Sequence, residues 1–213
     1  MRALWTWMVA LSLMVAGCSG KGVDEADPES LFRDAEAEVE SSHYQIAIDK
    51  FKSVKNKFPY SKFAAESLLR IADVYFLQES FLEAAVSYES FRDLHPKHEK
   101  AAYANFRIGK SYFMDIPENV SKDLSSAQKS LAAYNEFIAR NPNSEFVKEA
   151  REDINRAREM LARKELYVGN FYYTRGHLGA AGPRFKKLIE AYPETQAATE
   201  AKQKLARIMG EGN

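Results

Sequence analysis

The chain has 213 residues, 46% of them hydrophobic and 28% charged, with 30 Lys and Arg against 30 Asp and Glu. That balance excludes the basic excess of an ordinary nucleic-acid binder, and the apolar content excludes a disordered chain. A single cysteine excludes an intrachain disulfide and a cysteine-built zinc site.

The cysteine closes the most apolar run of the sequence. Arg2 supplies a positive start, Ala3 to Val15 (ALWTWMVALSLMV) an apolar stretch shorter than the roughly 20 residues of a membrane span, and Ala16-Gly17 small residues that suit a signal peptidase. The run from Val15 to Cys18 (VAGC) resembles the lipobox of bacterial lipoproteins. That resemblance implies acylation of the Cys18 sulfur, cleavage before it, and acylation of the new amine, so that residues 1–17 are a signal peptide and fatty acyl (palmitate) chains tether the protein. The competing reading, a buried free cysteine, needs these residues to join a core. Cleavage leaves 196 residues, with 29 Lys and Arg against 30 Asp and Glu. Residues 18–27 read as the lipidated cysteine and a flexible tether, after which Pro28-Glu29 begins a helix at an N-terminal proline.

The remainder repeats. Twelve residues before Pro59, Pro96, Pro142 and Pro193 stands a small residue, Ala47, Ala84, Ser130 or Ala181. Eight before each proline stands an aromatic, Phe51, Tyr88, Tyr134 or Phe185, and five before stands Val54, Phe91, Phe137 or Leu188. A second small residue lies twelve further upstream in three copies, as Ala35, Ala72 and Gly169, and the third copy has Gly109 at a distance longer by nine. Two helices cross closely only where small residues meet, aromatics fill the space beside the crossing, and proline stops the second helix. The offsets resemble the tetratricopeptide repeat, against the alternative of aromatic stripes in an ordinary bundle. The expected fold is therefore all-α, a tetratricopeptide-repeat superhelix of about four full repeats and a C-terminal half repeat, Ala197 to Met209 (AATEAKQKLARIM), in which Ala206 stands 37 residues after Gly169.

Between Gly109 and Gly169 the spacing is 60 instead of 37. Nine of the extra residues fall around DIPENVSKDLSS, which predicts a loop. The other fourteen, close to four turns, lengthen a helix without rotating its apolar face. Val147, Ala150, Ile154, Ala157, Leu161 and Val168 recur at helical spacing from a cap at Ser144 towards Gly176, predicting one helix of about 30 residues. Residues 28–142 then form the N-terminal repeats, and residues 143–213 the long connecting helix with the C-terminal repeats.

No pattern points to catalysis, a cofactor or a metal. His95 and His98 straddle a repeat-ending proline without a third ligand at a matching spacing, and read as solvated turn histidines. Gly176, Gly179 and Gly182 lack the Gly-Lys-Ser/Thr of a phosphate loop. The expectation is a binding scaffold, not an enzyme.

Two surfaces are candidates for binding. The repeat pattern places Phe32, Leu69, Phe76, Tyr103, Phe106, Lys110 and Phe113 near a concave groove, where aromatics and a lysine suit an extended apolar peptide ending in a carboxylate. The alternative is that half of them pack between repeats. The second surface surrounds Pro183, which falls where mid-helix is expected; a distortion beside Arg184, Lys186 and Lys187 marks a partner-docking edge, or the basic residues simply face solvent.

Asn141 to Phe146 (NPNSEF), Leu161 to Gly176 (LARKELYVGNFYYTRG), Ala191 to Ala197 (AYPETQA) and Phe58 to Ser67 (FPYSKFAAES) resemble the BamD family, also called ComL or YfiO, lipoproteins of the outer-membrane β-barrel assembly machinery. The resemblance implies a lipid-anchored protein on the periplasmic side of the outer membrane. It implies front repeats that receive the C-terminal signals of unfolded outer-membrane proteins, and back repeats that hold the POTRA region of a BamA-like barrel subunit, with other Bam lipoproteins as further partners. Relatives often continue with another helix where this sequence ends. Ser19 after the lipid cysteine is similar to the pattern of lipoproteins sent to the outer membrane. The alternative is a secretin pilotin, another repeat-bearing outer-membrane lipoprotein, which binds the tail of one secretin; a lipid-anchored peptidoglycan enzyme lacks candidate catalytic residues.

Overall fold

The computed structural model describes residues 23–211. The expected signal peptide, Cys18 and the first part of the tether lie outside them. Among the described residues are nine helices and no strand: α1 (Pro28–Glu40), α2 (Tyr44–Lys57), α3 (Lys62–Leu77), α4 (Phe81–Leu94), α5 (Ala101–Met114), α6 (Ser125–Arg140), α7 (Val147–Tyr173), α8 (Leu178–Ala191) and α9 (Gln196–Glu211). Each packs on its chain neighbour, and α7 also packs on α5 and α9. The result is four helical pairs stacked into a tetratricopeptide superhelix, with α9 as a half repeat.

The repeat positions explain the pairing. Ala35, Ala72, Gly109 and Gly169 on the first helices are buried, and so are Ala47, Ala84, Ser130 and Ala181 on the second helices. Phe51, Tyr88, Tyr134 and Phe185 are all 0% exposed. Burying a ring of that size stabilises by about 1.5–3 kcal/mol, so each crossing carries a comparable share of the fold. Proline ends each second helix as expected. The residue before it (Phe58, His95, Asn141 or Tyr192) leaves the helical region at φ between −136° and −129°, because the proline ring clashes with the Cβ of a predecessor in the α conformation and disfavours it.

The turn inside a pair also repeats. Seven residues after the small position, Ser42, Glu79 and Gly176 take left-handed φ of 59°, 59° and 74°. In each, the amide of the following residue reaches back to a carbonyl five residues earlier: His43 to Glu38, Ser80 to Tyr75, His177 to Tyr172. This satisfies carbonyls that the helix end would leave bare.

In the third pair that turn is replaced by the expected loop, residues 115–124. The loop is anchored, since Leu124 is buried with Ala127 of α6 and Leu161 of α7. Lys164 of α7 also donates to the carbonyls of Ser121 (2.9 Å) and Lys122 (2.7 Å). The insertion thus braces the long helix that joins front to back.

Four expectations are corrected. The long helix has 27 residues, about 40 Å, and starts at Val147; the Ser144 carbonyl instead accepts from the Val147 amide in the turn before it. The end of the tether, Asp24 to Asp27, is a capping turn: Asp27 accepts from the amides of Glu29 and Ser30, and Ser30 Oγ accepts from the Asp24 amide. Helix α8 runs through Pro183 without interruption. Ala206 is exposed, unlike the small residues at its equivalent positions, as no second helix crosses α9 there among the described residues.

Candidate functional site

The first helices of the repeats line a concave cavity of about 1050 Å³ between α1, α3, the start of α5 and the turn from α6 into α7. Phe32, Leu69, Tyr103 and Phe146 give it apolar walls. Each is there for a packing reason. Phe32 leans on Phe51 at 5.2 Å, Tyr103 stands edge-on to Tyr88 at 6.3 Å and Phe146 at 6.0 Å, and Phe146 stacks on Phe106 at 4.7 Å. One side of each aromatic is therefore fixed by the core while the other faces the cavity.

Charged groups crowd the same wall. Arg70 holds Glu36 through two bonds of 2.6 and 2.7 Å and Asp73 through one of 3.0 Å. Its guanidinium is held charged by the Glu36 hydrogen bonds above all. Asp73 also accepts from the hydroxyls of Tyr88 (2.6 Å) and Tyr103 (2.9 Å). Burial first, and the Asp73 charge second, push both phenols above their ordinary pKa, so both stay protonated donors.

These bonds belong to a seam that runs the length of the array. The residue after each small position bonds to the next first-helix neighbour. Glu36 meets Arg70, Asp73 meets Tyr103, Lys110 meets Asp153 at 2.9 Å, and Asn170 accepts from Lys204 at 2.6 Å. The third link is the most buried. Asp153 is 0% exposed and accepts from Lys110, from the Tyr134 hydroxyl at 2.7 Å, and from Arg156. Glu149 gives Lys110 a second carboxylate at 2.7 Å. A buried carboxylate is tolerated only when it is paired and hydrogen-bonded in this way.

Of the seven groove residues expected from the sequence, Phe32, Leu69 and Tyr103 line the cavity. The other four are corrected. Phe106 is 3% exposed, packed between Phe137, Tyr134 and Phe146. Phe76 is covered by the Arg107 guanidinium, 3.7 Å from its ring centre. Phe113 lies under Arg156 and Lys110. Lys110 presents no free cation, since Asp153 and Glu149 hold it. The aromatic spacing alone could not separate these from cavity residues. Sequence reasoning missed Phe146, Arg70, Asp73 and Glu36. Asp153 was findable, as the one acidic residue on the apolar face of α7, three after Ala150 and four before Ala157.

The basic edge of α8 is intact but partly neutralised. Arg184 and Lys187 converge on Glu165 of α7, at 3.4 and 2.8 Å, and Lys186 lies 4.0 Å from Glu190. Pro183 is exposed and leaves the helix continuous, so the edge is defined by charge, not by a distortion. The turn histidines are less solvated than expected. His95 and His98 both pack on Phe91, at 5.5 and 5.2 Å, and burial, with the neighbouring His98, lowers the pKa of His95. Among the described residues no group of three His, Cys, Asp or Glu converges as a metal site, and no helix is long and apolar enough to cross a membrane.

The sequence matches a family profile described as YfiO, outer membrane lipoprotein, over residues 24–210. It is 30% identical over 199 residues to a protein of Caulobacter vibrioides named outer membrane protein assembly factor BamD, covering 91% of this chain and 65% of that one. Proteins of the same name from Neisseria gonorrhoeae and Vibrio cholerae are 28% and 25% identical, each over 91% of this chain and over 79% and 85% of their own. The chain thus spans about two thirds of the Caulobacter relative's length, and more of the other two. A solved tetratricopeptide repeat protein of Parabacteroides merdae is 18% identical, with a TM-score of 0.45 over 86% of this chain and 73% of that one.

Proposed function

We propose that this chain, which belongs to the YfiO family of outer membrane lipoproteins, is a scaffold for outer-membrane protein assembly, tethered to the membrane through acylated Cys18 on the periplasmic side. Its front repeats take up extended segments of unfolded outer-membrane proteins, including their C-terminal signals, and its back repeats hold the POTRA region of a BamA-like barrel subunit.

One observation carries the reading. The concave cavity of about 1050 Å³ has aromatic walls whose far sides are locked in the core, with charged groups around Arg70 on α1 and α3 and others, Glu99, Lys100, Arg140 and Glu145, at the start of α5 and the turn into α7. Such a groove is preformed, so an extended segment that inserts an aromatic side chain does not have to order the receptor as it binds. A small-molecule active site would need a nucleophile or a base near a reacting position, and Arg70, Glu36 and Asp73 are spent on one another.

Photo-crosslinkers placed at Leu69 and Phe146 in the intact cell test the assignment. Outer-membrane precursors captured at both positions, with a large barrel protein co-purifying on the back repeats, are the expected result. Recovery of a secretin multimer alone would assign the chain to the pilotins instead. Cys18→Ala is expected to release the protein from the membrane fraction, since the lipid is the anchor.

A further inference from the structure

Two exposed aromatics on α7 have no role in the front groove or the α8 edge. Tyr167 is 52% exposed and Phe171 46% exposed. Arg163 lies four residues before the first on the same face of α7, and Arg175 lies four after the second in the turn that follows the helix, so the four residues form one ridge that ends at that turn. Both arginines are exposed, and neither has a carboxylate within ion-pair distance among the described residues. By contrast, Arg156, Arg158 and Arg184 in the same half of the molecule are each held by an acid. The Arg175 guanidinium lies 3.7 Å from the centre of the Phe171 ring and donates to the Phe171 carbonyl at 3.1 Å, which fixes a cation over one face of the ring and leaves its remaining surface exposed.

We propose that this ridge is a docking strip for an extended polypeptide segment in which two apolar side chains are flanked by acidic residues, in the pattern acid-x-apolar-x-apolar-x-acid. The register follows from geometry. Residues four apart on a helix stand about 6 Å apart, so Arg163, Tyr167 and Phe171 cover about 12 Å, and the turn with Arg175 lies beyond them. Alternate residues of a strand are about 6.6 Å apart, so three of them cover about 13 Å and a fourth, about 20 Å along, reaches that turn. The two apolar side chains then meet Tyr167 and Phe171, and the two carboxylates meet the unpaired guanidiniums, which bind carboxylates in two-pronged fashion.

A polypeptide fits better than a lipid surface because of where the ridge lies. Asn170, between Tyr167 and Phe171, is bonded to Lys204 of α9 in the inner seam. The strip therefore borders the inner wall, which a narrow chain reaches more easily than a flat bilayer does.

The test uses the purified protein with two fluorescein-labelled, amidated heptapeptides, Glu-Ser-Val-Ser-Leu-Ser-Glu and its twin with lysine at both ends, titrated by fluorescence anisotropy. The acidic peptide is expected to bind at least about tenfold tighter than the twin, and less tightly as salt rises. Arg163→Glu with Arg175→Glu is expected to invert the preference, a result that loss of folding does not produce. Tyr167→Ser with Phe171→Ser is expected to weaken the acidic peptide about tenfold at unchanged helix content. Equal affinity for the two peptides overturns the proposal, as does a preference that survives the charge reversal. Binding to phosphatidylglycerol vesicles through these four residues, without binding of the acidic peptide, overturns it in favour of a lipid contact. None of the four lines the front groove, so crosslinking at Leu69 reports separately on client capture.

Discussion

A methyl group on Gly169 would stand 2.5 Å from Cε1 of Phe185, a ring that is itself 0% exposed. The ring has nowhere to move, because Ala181, Leu188 and Tyr173 pack around it. Gly169→Ala is therefore expected to cost about 1–3 kcal/mol, and Gly109→Ala the same, since its added carbon would lie 2.5 Å from Tyr134. Gly179→Ala is the control. Nothing lies within 4 Å of its added carbon inside α8, so it is expected to gain up to about 1 kcal/mol. Thermal melts of the three variants decide whether the crossings set the fold.

The left-handed turns make a second prediction. Ser42 and Glu79 occupy the conformation that Gly176 occupies in the last pair. A side chain there costs about 1 kcal/mol, offset in part by the greater freedom of glycine when unfolded. Glu79→Gly and Ser42→Gly are each expected to raise stability by about 0.5 kcal/mol, whereas Gly176→Ala lowers it by about 1 kcal/mol. Urea titrations with an unchanged slope would bear this out; a lower midpoint for Glu79→Gly would count against it.

Phe106 and Lys110 are expected to behave as structural residues. Phe106→Ala removes a ring stacked on Phe146 and should cost about 3–5 kcal/mol. Lys110→Glu sets a third carboxylate against Asp153 and Glu149, leaving Asp153 buried with one fewer cation, at a cost of about 3 kcal/mol or more. Both should lower the melting temperature before any effect on ligand affinity is measurable. Unchanged melts with weakened peptide binding would return these residues to the groove.

Arg184 tests the docking edge only if its intramolecular pair is kept. Arg184→Glu alone faces Glu165 and loses a half-exposed pair worth about 0–1 kcal/mol. Arg184→Glu and Lys187→Glu combined with Glu165→Arg restore both internal pairs with the charges exchanged. A docking edge predicts that this exchanged variant melts normally yet fails to retain the barrel subunit in a pull-down. Full retention by the exchanged variant would show that the edge only faces solvent.

Hydrogen bonds to Arg158 and Lys204 hold the carboxyls of Glu194 and Glu200 below the ordinary value of 4.5. A lowered folded pKa means the contribution is fully present above about pH 4.5 and is lost as pH falls through the folded value. Amide protection in α9, measured relative to the intrinsic exchange rate at each pH, is therefore expected to fall below about pH 4.5, and less so in Arg158→Leu. Both acids are about half exposed, so the effect is screened and should be smaller at high salt.

The fold was legible in the sequence wherever the physical constraint is local. A small residue at a crossing, an aromatic one turn away and a proline stop depend on positions within one pair, which is why Ala47, Tyr88, Phe137 and Pro193 read correctly. The groove was legible only in part, because which aromatic faces outward is settled by the neighbouring pair. Phe106 would have lined the cavity had Phe146 not folded back over it from the turn before α7. Lys110 looked free because its acids stand 39 and 43 residues away in the chain. The turn after Pro142, where the sequence suggested only a helix cap at Ser144, supplies a wall of the cavity.

The inner seam has a mechanical consequence. Glu36 with Arg70, Asp73 with Tyr103, Lys110 with Asp153 and Asn170 with Lys204 all tie first helices together on the concave side. Flattening the superhelix would lengthen all four ties at once, whereas curling it tighter lengthens none. A load that pulls the two ends apart thus meets four polar links in series, each breaking over less than an ångström, while a load that squeezes the ends together meets only side-chain packing. The array is a spring with unequal stiffness in its two directions, and one broken tie would set where it bends.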